Sequence, residues 1–443
     1  MSKSNLLRLT RITVNGLFGI YDHSINLNLN DRTTLLHGPN GVGKTVILQM
    51  INAMLQNRLE FFMTIPLARF VLHFNNGSSL SMRVKTGGRR KSYILGLTSA
   101  TKRHSISIDW NTRAGYIADQ IEYLRPDETS PNMWVDIRDR EILSHTEVID
   151  RFGPMIRPRG KHFKPFDAPW YDSFLNSAHS HLIEAQRLFQ IDPNPRRKHR
   201  YGWRTRGPSM ISTVVEYGKD FRTRLATTMA DYGRQSQTLD QSFPRRLIAA
   251  TEELAVEDLQ KKMDDLDKRT KEFKDIGILD ETPSHPLEEI RLDPNNKTQI
   301  RVMTLYVSDT EIKLRALDDL ASRTEVFLNN VNKKYRHKKI RLDRENGFVA
   351  RNDDETKLPL ESLSSGEQQE LVLNYDLLFR VPSNTIVLID EPELSLHVAW
   401  QKQFLSDLLT IVELSNFDAL VATHSPFIVG DRDDLMVGIG DKS

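Results

Sequence analysis

Apolar and polar residues alternate in short runs over the first quarter of the chain, a period typical of β-strands with one buried face. The runs are separated by Asn75-Asn76-Gly77 and Thr86-Gly87-Gly88, which are hairpin signals. Hairpins join antiparallel neighbours, so an antiparallel sheet is expected here. The predicted strands are residues 6–14, 24–29, 70–74, 80–84, 92–97 and 104–108.

The pattern becomes helical between residues 208 and 334. Apolar residues there recur every three or four positions with charges between them, as on an amphipathic helix or along a coiled-coil seam. A block with three prolines, residues 277–296, interrupts the pattern and is predicted to form a hinge or tip before a returning helix. These apolar residues could either pack in the core of the protein or form the seam of a short helical projection, and the sequence leaves both open. They are Val214, Phe221, Leu225, Tyr232, Val256, Leu259, Met263, Leu266, Phe273, Leu317, Leu320, Phe327 and Val331.

Length and composition limit the class of protein. With 443 residues, the chain is long enough for one large or two ordinary domains. It contains no cysteine, which excludes disulfides and thiolate metal sites and suits a reducing cytoplasm. A membrane-spanning helix needs about 18 consecutive apolar residues, and no apolar run in this chain is nearly that long. The first residues of the chain are polar, unlike those of a signal peptide. We therefore expect a cytoplasmic protein without a membrane span.

A phosphate-binding loop follows the apolar residues Leu35 and Leu36. Its glycines allow backbone N–H groups to turn towards a polyphosphate, its lysine provides a positive charge for the β- and γ-phosphates, and its threonine hydroxyl can ligate Mg²⁺. A helix predicted at residues 46–59 points its positive end at the same anion. The predicted ATP contacts are Gly38, Pro39, Asn40, Gly41, Val42, Gly43, Lys44 and Thr45.

A second nucleotide motif lies near the other end of the chain. The apolar run 385–389 reads as a buried parallel strand, and it is followed by Asp390, Glu391 and Pro392. Such a strand with two terminal acids is a Walker B motif. Asp390 is predicted to hold Mg²⁺, and Glu391 to orient and polarise the water that attacks the γ-phosphate.

Three further motifs occur in an ordered set with these two. They are Leu363-Ser364-Ser365-Gly366-Glu367 before an apolar helix, Glu393-Leu394-Ser395-Leu396-His397, and Val421-Ala422-Thr423-His424-Ser425-Pro426. With them the chain resembles ABC-type ATPases of the RecF/SMC/OLD branch, over about half its length. The first motif departs from the transporter signature, because Ser365 and Glu367 stand where glycine and glutamine are usual, and this disfavours a transporter subunit.

The resemblance implies the architecture and further site residues. We expect an α/β fold: an ABC-type P-loop ATPase head, with a mixed sheet flanked by helices and an antiparallel β subdomain, carrying an inserted helical or short coiled-coil projection. The expected parts are residues 1–207 and 336–443 for the two halves of the head and 208–335 for the insertion. His424 is implied as the catalytic switch histidine, and Gln186 as a catalytic glutamine that also reaches Mg²⁺.

The resemblance also implies an assembly. In such heads the phosphate loop of one subunit faces the signature of another, so Ser364, Ser365 and Gly366 would contact the γ-phosphate in trans. The implied active form is a homo-oligomer built on head-to-head dimers, with ATP and Mg²⁺ at the joint. Phe18 and Tyr21 are candidates for the adenine contact. Turnover is expected to be slow, with ATP acting mainly as a switch.

Residues 151–206 are locally basic, although the formal net charge of the whole chain is only +2. This segment could bind nucleic acid, dock an acidic protein or form a solvated loop. Its residues include Arg157, Arg159, Lys161, Lys164, Arg196, Arg197, Lys198, Arg200, Arg204 and Arg206, with Tyr201 and Trp203 among them.

Two functions from different classes therefore stand at this point. The first is an ATPase sensor or scaffold of a prokaryotic antiphage defence system, resembling the PtuA or AriA type, that controls a separately encoded nuclease or toxin effector. It is favoured by the signature, the short insertion and the absence of space after the head for a Toprim nuclease domain. The second is a RecF-like ATPase of DNA repair or recombination that binds DNA.

Overall fold

The structure is a computed structural model that describes residues 7–440 apart from 88–89, 109, 120, 128–129, 131–132, 139, 153–167, 185–186, 192–209, 281–286 and 288–289. The chain forms two compact units. The first unit consists of residues 1–185 and 381–443, and the second of residues 186–380. The three-part division predicted from the sequence stays a prediction. No helix among the described residues is long and apolar enough to cross a membrane.

A five-stranded parallel sheet organises the first unit, in the order β11-β17-β18-β3-β19. Five of the six residues of β17 and all six of β18 are buried, because a parallel sheet is covered on both faces. The strand predicted before Asp390 is thereby confirmed. The strand bounds are β3 Thr33–His37, β11 His179–Ile183, β17 Thr385–Asp390, β18 Asp418–Thr423 and β19 Met436–Gly438.

Four helices accompany this sheet: α1 Lys44–Leu55, α4 Pro169–Leu175, α10 Val398–Ser415 and α11 Pro426–Val429. Helix α1 packs on β11, β17 and β18 through its apolar face. It starts two residues before the predicted helix and ends four residues earlier. The chain turns at Asn57, whose φ of 55° lies in the left-handed region that ends helices.

The predicted antiparallel sheet is confirmed and has the order β2-β1-β4-β5-β6-β7. Its inward face joins the core around α1, with Ile12, Phe70 and Leu72 fully buried. The second strand lies three residues earlier than predicted, because Phe18 and Gly19 adopt positive φ and close a tight turn after β1. The strands are β1 Leu9–Leu17, β2 Tyr21–Asn26, β4 Arg69–Phe74, β5 Ser79–Gly87, β6 Arg90–Thr98 and β7 Arg103–Ile108.

Smaller elements complete the first unit. They include a three-stranded sheet in the order β10-β9-β8. The bounds are α2 Trp110–Asp119, β8 Leu124–Pro126, β9 Met133–Asp136, β10 Glu141–Ser144 and α3 His145–Phe152.

The second unit is mainly helical, with two small antiparallel sheets. An aromatic cluster forms its core, in which the rings of Phe221 and Phe348 lie 4.4 Å apart and those of Phe327 and Phe348 4.7 Å apart. Its elements are β12 Phe189–Ile191, β13 Met210–Ser212, α5 Thr213–Ala249, α6 Val256–Asp275, α7 Lys297–Arg315, α8 Asp318–Asn332, β14 Lys338–Asp343, β15 Gly347–Asn352, β16 Lys357–Leu358 and α9 Ser365–Tyr375.

The helical projection differs from the prediction in the direction of its helices. Salt bridges join α7 to α5 at Lys313–Asp240 and Arg246–Asp309, and Arg301 of α7 pairs with Glu253 just after α5. Later residues of α5 therefore meet earlier residues of α7. Lys262 of α6 pairs with Glu311 of α7, and Arg269 of α6 pairs with Asp318 at the start of α8, both across a separation of 49 residues. Helices α5 and α7 are therefore antiparallel, whereas α6 and α7 are parallel. The proline-containing block, predicted to be a hinge or tip before a returning helix, thus connects two parallel helices, and the helix after it does not return antiparallel to α6.

Candidate functional site

The phosphate loop lies between β3 and α1, at the carboxyl edge of the parallel sheet. Gly41 and Gly43 have φ of 87° and 101°, which side chains other than glycine rarely adopt. A Cβ at Gly38 would lie 2.3 Å from the carbonyl oxygen of Ile439, so this position also requires glycine. Backbone geometry and close packing thus explain why the loop consists of these residues.

Lys44 is the first residue of α1 and is almost fully buried. Its Nζ donates hydrogen bonds to the carbonyl oxygens of Gly38, at 2.7 Å, and Pro39, at 3.1 Å. The ammonium group is thereby held inside the curve of the loop, beside the positive end of the helix. This arrangement of charge and backbone suits a polyphosphate.

Phe18, an adenine candidate, lies beside this loop, since its Cε2 would be 3.5 Å from a Cβ at Gly43. The other candidate, Tyr21, stacks on His23 at a ring distance of 5.7 Å. His23 Nε2 lies 3.1 Å from the carbonyl oxygen of Val42. The adenine contact stays a prediction for both residues.

Thr45 and Asp390, two of the three predicted Mg²⁺ ligands, are adjacent. Thr45 Oγ1 donates a hydrogen bond of 3.0 Å to Asp390 Oδ1 at the end of β17. Burial raises the pKa of Asp390; the Thr45 bond opposes this, and the carboxylates of Glu391, Glu184 and Glu393 raise the pKa further. This excess of negative charge favours a divalent cation next to Asp390.

The side chains at this site fit Mg²⁺, which needs few protein ligands, better than a metal ion whose ligands all come from protein side chains. Within the described part of the chain, no group of three or more His, Asp or Glu side chains could hold an ion. Mg²⁺ typically takes one or two protein ligands and completes its shell with water and substrate phosphates. A hydroxyl and a carboxylate beside a phosphate loop match this preference.

Glu391 follows Asp390 in an unusual backbone conformation. Its φ of 41° and ψ of 59° place it in the left-handed region, and its N–H donates to the carbonyl oxygen of Ala422 at 2.9 Å. For a residue with a side chain this conformation costs about 1–2 kcal/mol. Such strain is concentrated at functional sites. The Glu391 side chain is partly exposed.

His424 comes directly after β18, the strand between β17 and β3. Its Nδ1 lies 3.8 Å from Glu391 Oε1 and 3.1 Å from Glu393 Oε1. The sequence had assigned His424 a catalytic role but none to Glu393 itself. The two motifs that carry these residues are thus adjacent in the structure, together with Thr45 and Asp390.

The predicted glutamine Gln186 lies outside the described residues. The strand before it, β11, ends at Ile183 and pairs in parallel with β17 along its whole length. The intervening Glu184 acts electrostatically on Asp390. The chain after β11 therefore begins at the correct edge of the sheet, while the role of Gln186 stays a prediction.

The signature residues lie in the second unit, at the start of α9. Ser364 caps this helix: its Oγ accepts from Glu367 N–H at 3.3 Å, and its own N–H donates to Glu367 Oε2 at 2.7 Å. Burial opposes ionisation of Glu367, but Lys338 and Ser364 hold the pKa of this carboxyl below its usual value. Ser364 and Ser365 are exposed. The glutamate of the signature thus has a structural role as a capping residue.

Residues 219–430 match the family described as "AAA domain, putative AbiEii toxin, Type IV TA system". No curated protein matches the chain. The matched range contains the signature, the Walker B motif and His424, and it begins after the phosphate loop. The family match thus agrees with an ATPase domain.

Among solved structures, the chain is similar to heads of SMC proteins. One is the Smc head domain with an extended coiled coil, bound to the C-terminal domain of ScpA, from Pyrococcus furiosus (14% identity, TM-score 0.36, 98% of this chain and 93% of that chain). Another is the SMC head domain from Thermotoga maritima (12% identity, TM-score 0.31, 97% and 94%). At such low identities and TM-scores, the functional assignment depends on the site itself. The predicted α/β fold class, with its parallel and antiparallel sheets and helical insertion, is confirmed.

Proposed function

We propose that this protein is an ABC-type ATPase that binds and hydrolyses ATP with Mg²⁺ and uses the nucleotide as a conformational switch. The observation that carries this proposal is the convergence of Lys44, Thr45, Asp390, Glu391 and His424 at one edge of the parallel sheet. These residues come from three separate segments, so local structure alone would not bring them together.

The chemistry of each residue suits phosphoryl transfer to water. Lys44 and the loop N–H groups bind the phosphates, and Thr45 and Asp390 would hold Mg²⁺, which neutralises the charge that develops on the phosphoryl oxygens. Glu391 orients and polarises the attacking water. His424 would contact the γ-phosphate. Ser365 and Gly366 of a second copy would complete the site through the exposed start of α9.

For the biological role, we propose an ATPase sensor or scaffold of an antiphage defence system that controls a separately encoded nuclease or toxin. The matched family takes its name from an abortive-infection toxin and a toxin-antitoxin system, which supports a role of this kind. Cytoplasmic location and assembly into homo-oligomers belong to the same proposal. The same proposal assigns nuclease activity to the partner protein.

We predict that the isolated chain hydrolyses ATP and leaves nucleic acid intact.

Lys44→Ala should lower ATP affinity by about 10- to 150-fold, the loss expected for a charged hydrogen bond of about 1.5–3 kcal/mol. Calorimetric titration measures binding, phosphate release measures turnover, and incubation with Mg²⁺ or Mn²⁺ and plasmid or transfer RNA measures cleavage. Lys402→Ala, an exposed lysine of α10, is the matched control.

Unchanged ATP affinity of Lys44→Ala would contradict the role of the loop. Cleavage of nucleic acid that persists through purification and disappears in a variant of this chain would contradict the assignment of damage to a partner.

One surface favours the second candidate, a RecF-like ATPase of repair or recombination that binds DNA. The outward face of the antiparallel sheet carries Arg11, Arg69, Arg83 and Lys85, all exposed and without an ion pair among the described residues. The only acidic residue in the six strands is Asp22, on the edge strand β2. The basic segment 151–206, for which the sequence left nucleic-acid binding, protein docking and a solvated loop open, falls mostly outside the described residues.

The basic residues of this face repel one another. Arg69 lies directly opposite Arg83 in the register of β4 and β5, and like charges in such pairs destabilise a sheet. Burial lowers the pKa of His73, and the charges of Arg11 and Arg69 lower it further. Neighbouring positions on the face carry Ser79, Ser81 and Gly96, so a phosphate backbone could approach closely.

Combined replacement of Arg69, Arg83 and Lys85 by alanine tests this surface. If the three side chains contact phosphates of duplex DNA, the slope of log K against log salt should shrink by about 2.7, or 0.9 for each contact. Fluorescence anisotropy of a labelled duplex between 50 and 200 mM salt measures the slope. Alanine at Lys261, Lys268 and Lys271, exposed on α6, removes the same charge elsewhere. An unchanged slope, or a parent that does not bind, would exclude this DNA site.

A further inference from the structure

Glu393 makes an unusual number of contacts with the segment that carries His424. Its Oε1 accepts hydrogen bonds from Thr423 Oγ1 at 2.8 Å, His424 N–H at 2.8 Å and Ser425 N–H at 3.2 Å. The imidazole Nδ1 of His424 lies 3.1 Å from the same oxygen. One carboxylate oxygen therefore contacts both the backbone and the ring of the switch histidine.

The carboxylate is buried, with 7% of the residue exposed. Its second oxygen, Oε2, is also buried and has no hydrogen-bond partner among the described residues. A buried carboxylate is costly unless its hydrogen bonds are strong and charge-assisted. Packing alone would be better served by an apolar residue at this position. The cost is consistent with a function exerted through the residues bonded to Oε1.

A second side chain fixes the turn from which Glu393 projects, the 3-10 turn Pro392–Ser395. Gln401 of α10 donates through Nε2 to the carbonyl oxygens of Glu393, at 3.3 Å, and Leu396, at 3.1 Å. Its Oε1 accepts from Ser425 Oγ at 2.8 Å. Two independent links thus join this turn to the segment after β18, one through Glu393 and one through Gln401 and Ser425.

We propose that Glu393 is a positioning residue that sets the orientation and tautomer of His424. A carboxylate only accepts hydrogen bonds, so contact with Oε1 requires the proton of the neutral ring to be on Nδ1. Nε2 is then the ring nitrogen that is free to contact the nucleotide. A carboxylate plays the same part for histidine in hydrolase triads and in metal sites.

Glu393→Gln tests this role with little change in shape. The amide oxygen can still accept backbone N–H groups, but the charge that holds Nδ1 is lost. We expect kcat for ATP hydrolysis to fall by about 10- to 100-fold, the usual effect of removing such a supporting carboxylate, while KM and the melting temperature stay near the parental values. Glu413→Gln, exposed on α10, is the control.

A double-mutant cycle separates positioning from a general structural effect. If Glu393 acts through His424, the double variant Glu393→Gln/His424→Ala should be no slower than His424→Ala alone. Rate losses that multiply in the double variant would overturn the proposal.

Histidine NMR provides a readout that does not need turnover. With ¹⁵N-labelled histidine at about pH 8, above the ordinary titration range of the side chain, the His424 signals should indicate the Nδ1–H tautomer in the parent. They should shift towards the Nε2–H tautomer in Glu393→Ala, which removes the acceptor altogether, and His424→Ala identifies them. The same tautomer in both proteins would overturn the inference.

The kinetic experiments rest on the proposed ATPase function, whereas the NMR experiment does not. A parent that fails to hydrolyse ATP would contradict the proposed function, and the tautomer would then decide the role of Glu393 by itself.

Discussion

Glu391→Gln should bind ATP as the parent does and lose hydrolysis almost completely. The substitution removes the group that polarises the attacking water, and general bases contribute roughly 10²- to 10⁴-fold to a rate. The contacts of Lys44, Thr45 and Asp390 are unaffected, because none of them involves the Glu391 side chain. With turnover blocked and binding intact, the ATP-bound assembly should accumulate.

Two measurements check this result. Phosphate release should fall while the dissociation constant from calorimetry stays unchanged, and size-exclusion chromatography with ATP and Mg²⁺ should show a persistent oligomer. Asp390→Asn should behave differently, since it weakens Mg²⁺-dependent binding itself. Glu413→Gln, on the surface of α10, controls for the loss of one charge. Hydrolysis at the parental rate would show that Glu391 is not the base.

The left-handed backbone of Glu391 is a feature that the motif in the sequence does not show. Its φ is 41°, and its N–H donates a hydrogen bond to the carbonyl oxygen of Ala422 on the neighbouring strand. The left-handed conformation is usually adopted by glycine or asparagine, so a glutamate in the sequence gives no sign of it. The motif in the sequence identified Glu391 as a candidate catalytic residue, whereas its backbone conformation is seen only in the structure.

The sheets were predictable because each strand carries its own signal. The alternation of β4 and β5 and the continuous apolar run of β17 follow directly from which faces are covered. The direction of the projection helices was not predictable, since apolar spacing on α6 is the same whether its neighbour runs parallel or antiparallel. Ion pairs such as Lys262–Glu311 contain that information, and they join residues far apart in sequence.

The contacts of Glu393 were missed for a related reason. The residue stands in a recognisable motif, yet its hydrogen bonds are made to Thr423, His424 and Ser425, about thirty positions later. A sequence shows that two motifs are present and in which order. The adjacency of β17 and β18 in the sheet is what places one motif against the other.

Ser365→Arg should separate ATP binding from hydrolysis. Ser365 is exposed at the start of α9 in the second unit, whereas the phosphate loop belongs to the first unit. If the signature acts on the nucleotide of another copy, the variant should bind ATP with parental affinity and fail to hydrolyse it, because the bulky charged side chain prevents closure of the joint. Ser406→Arg, exposed on α10, is the control for an added surface arginine.

Mixing Ser365→Arg with Lys44→Ala should restore activity, although neither variant is active alone. In a mixed dimer, the intact loop of the first chain meets the intact signature of the second, which gives one working site. Random pairing makes half of the dimers mixed, each with one of two sites, so about a quarter of the parental rate is expected. Differently tagged chains and a pull-down establish that mixed dimers form. If those dimers form without any recovery of phosphate release, the signature does not act across the joint, and each chain must complete its site alone.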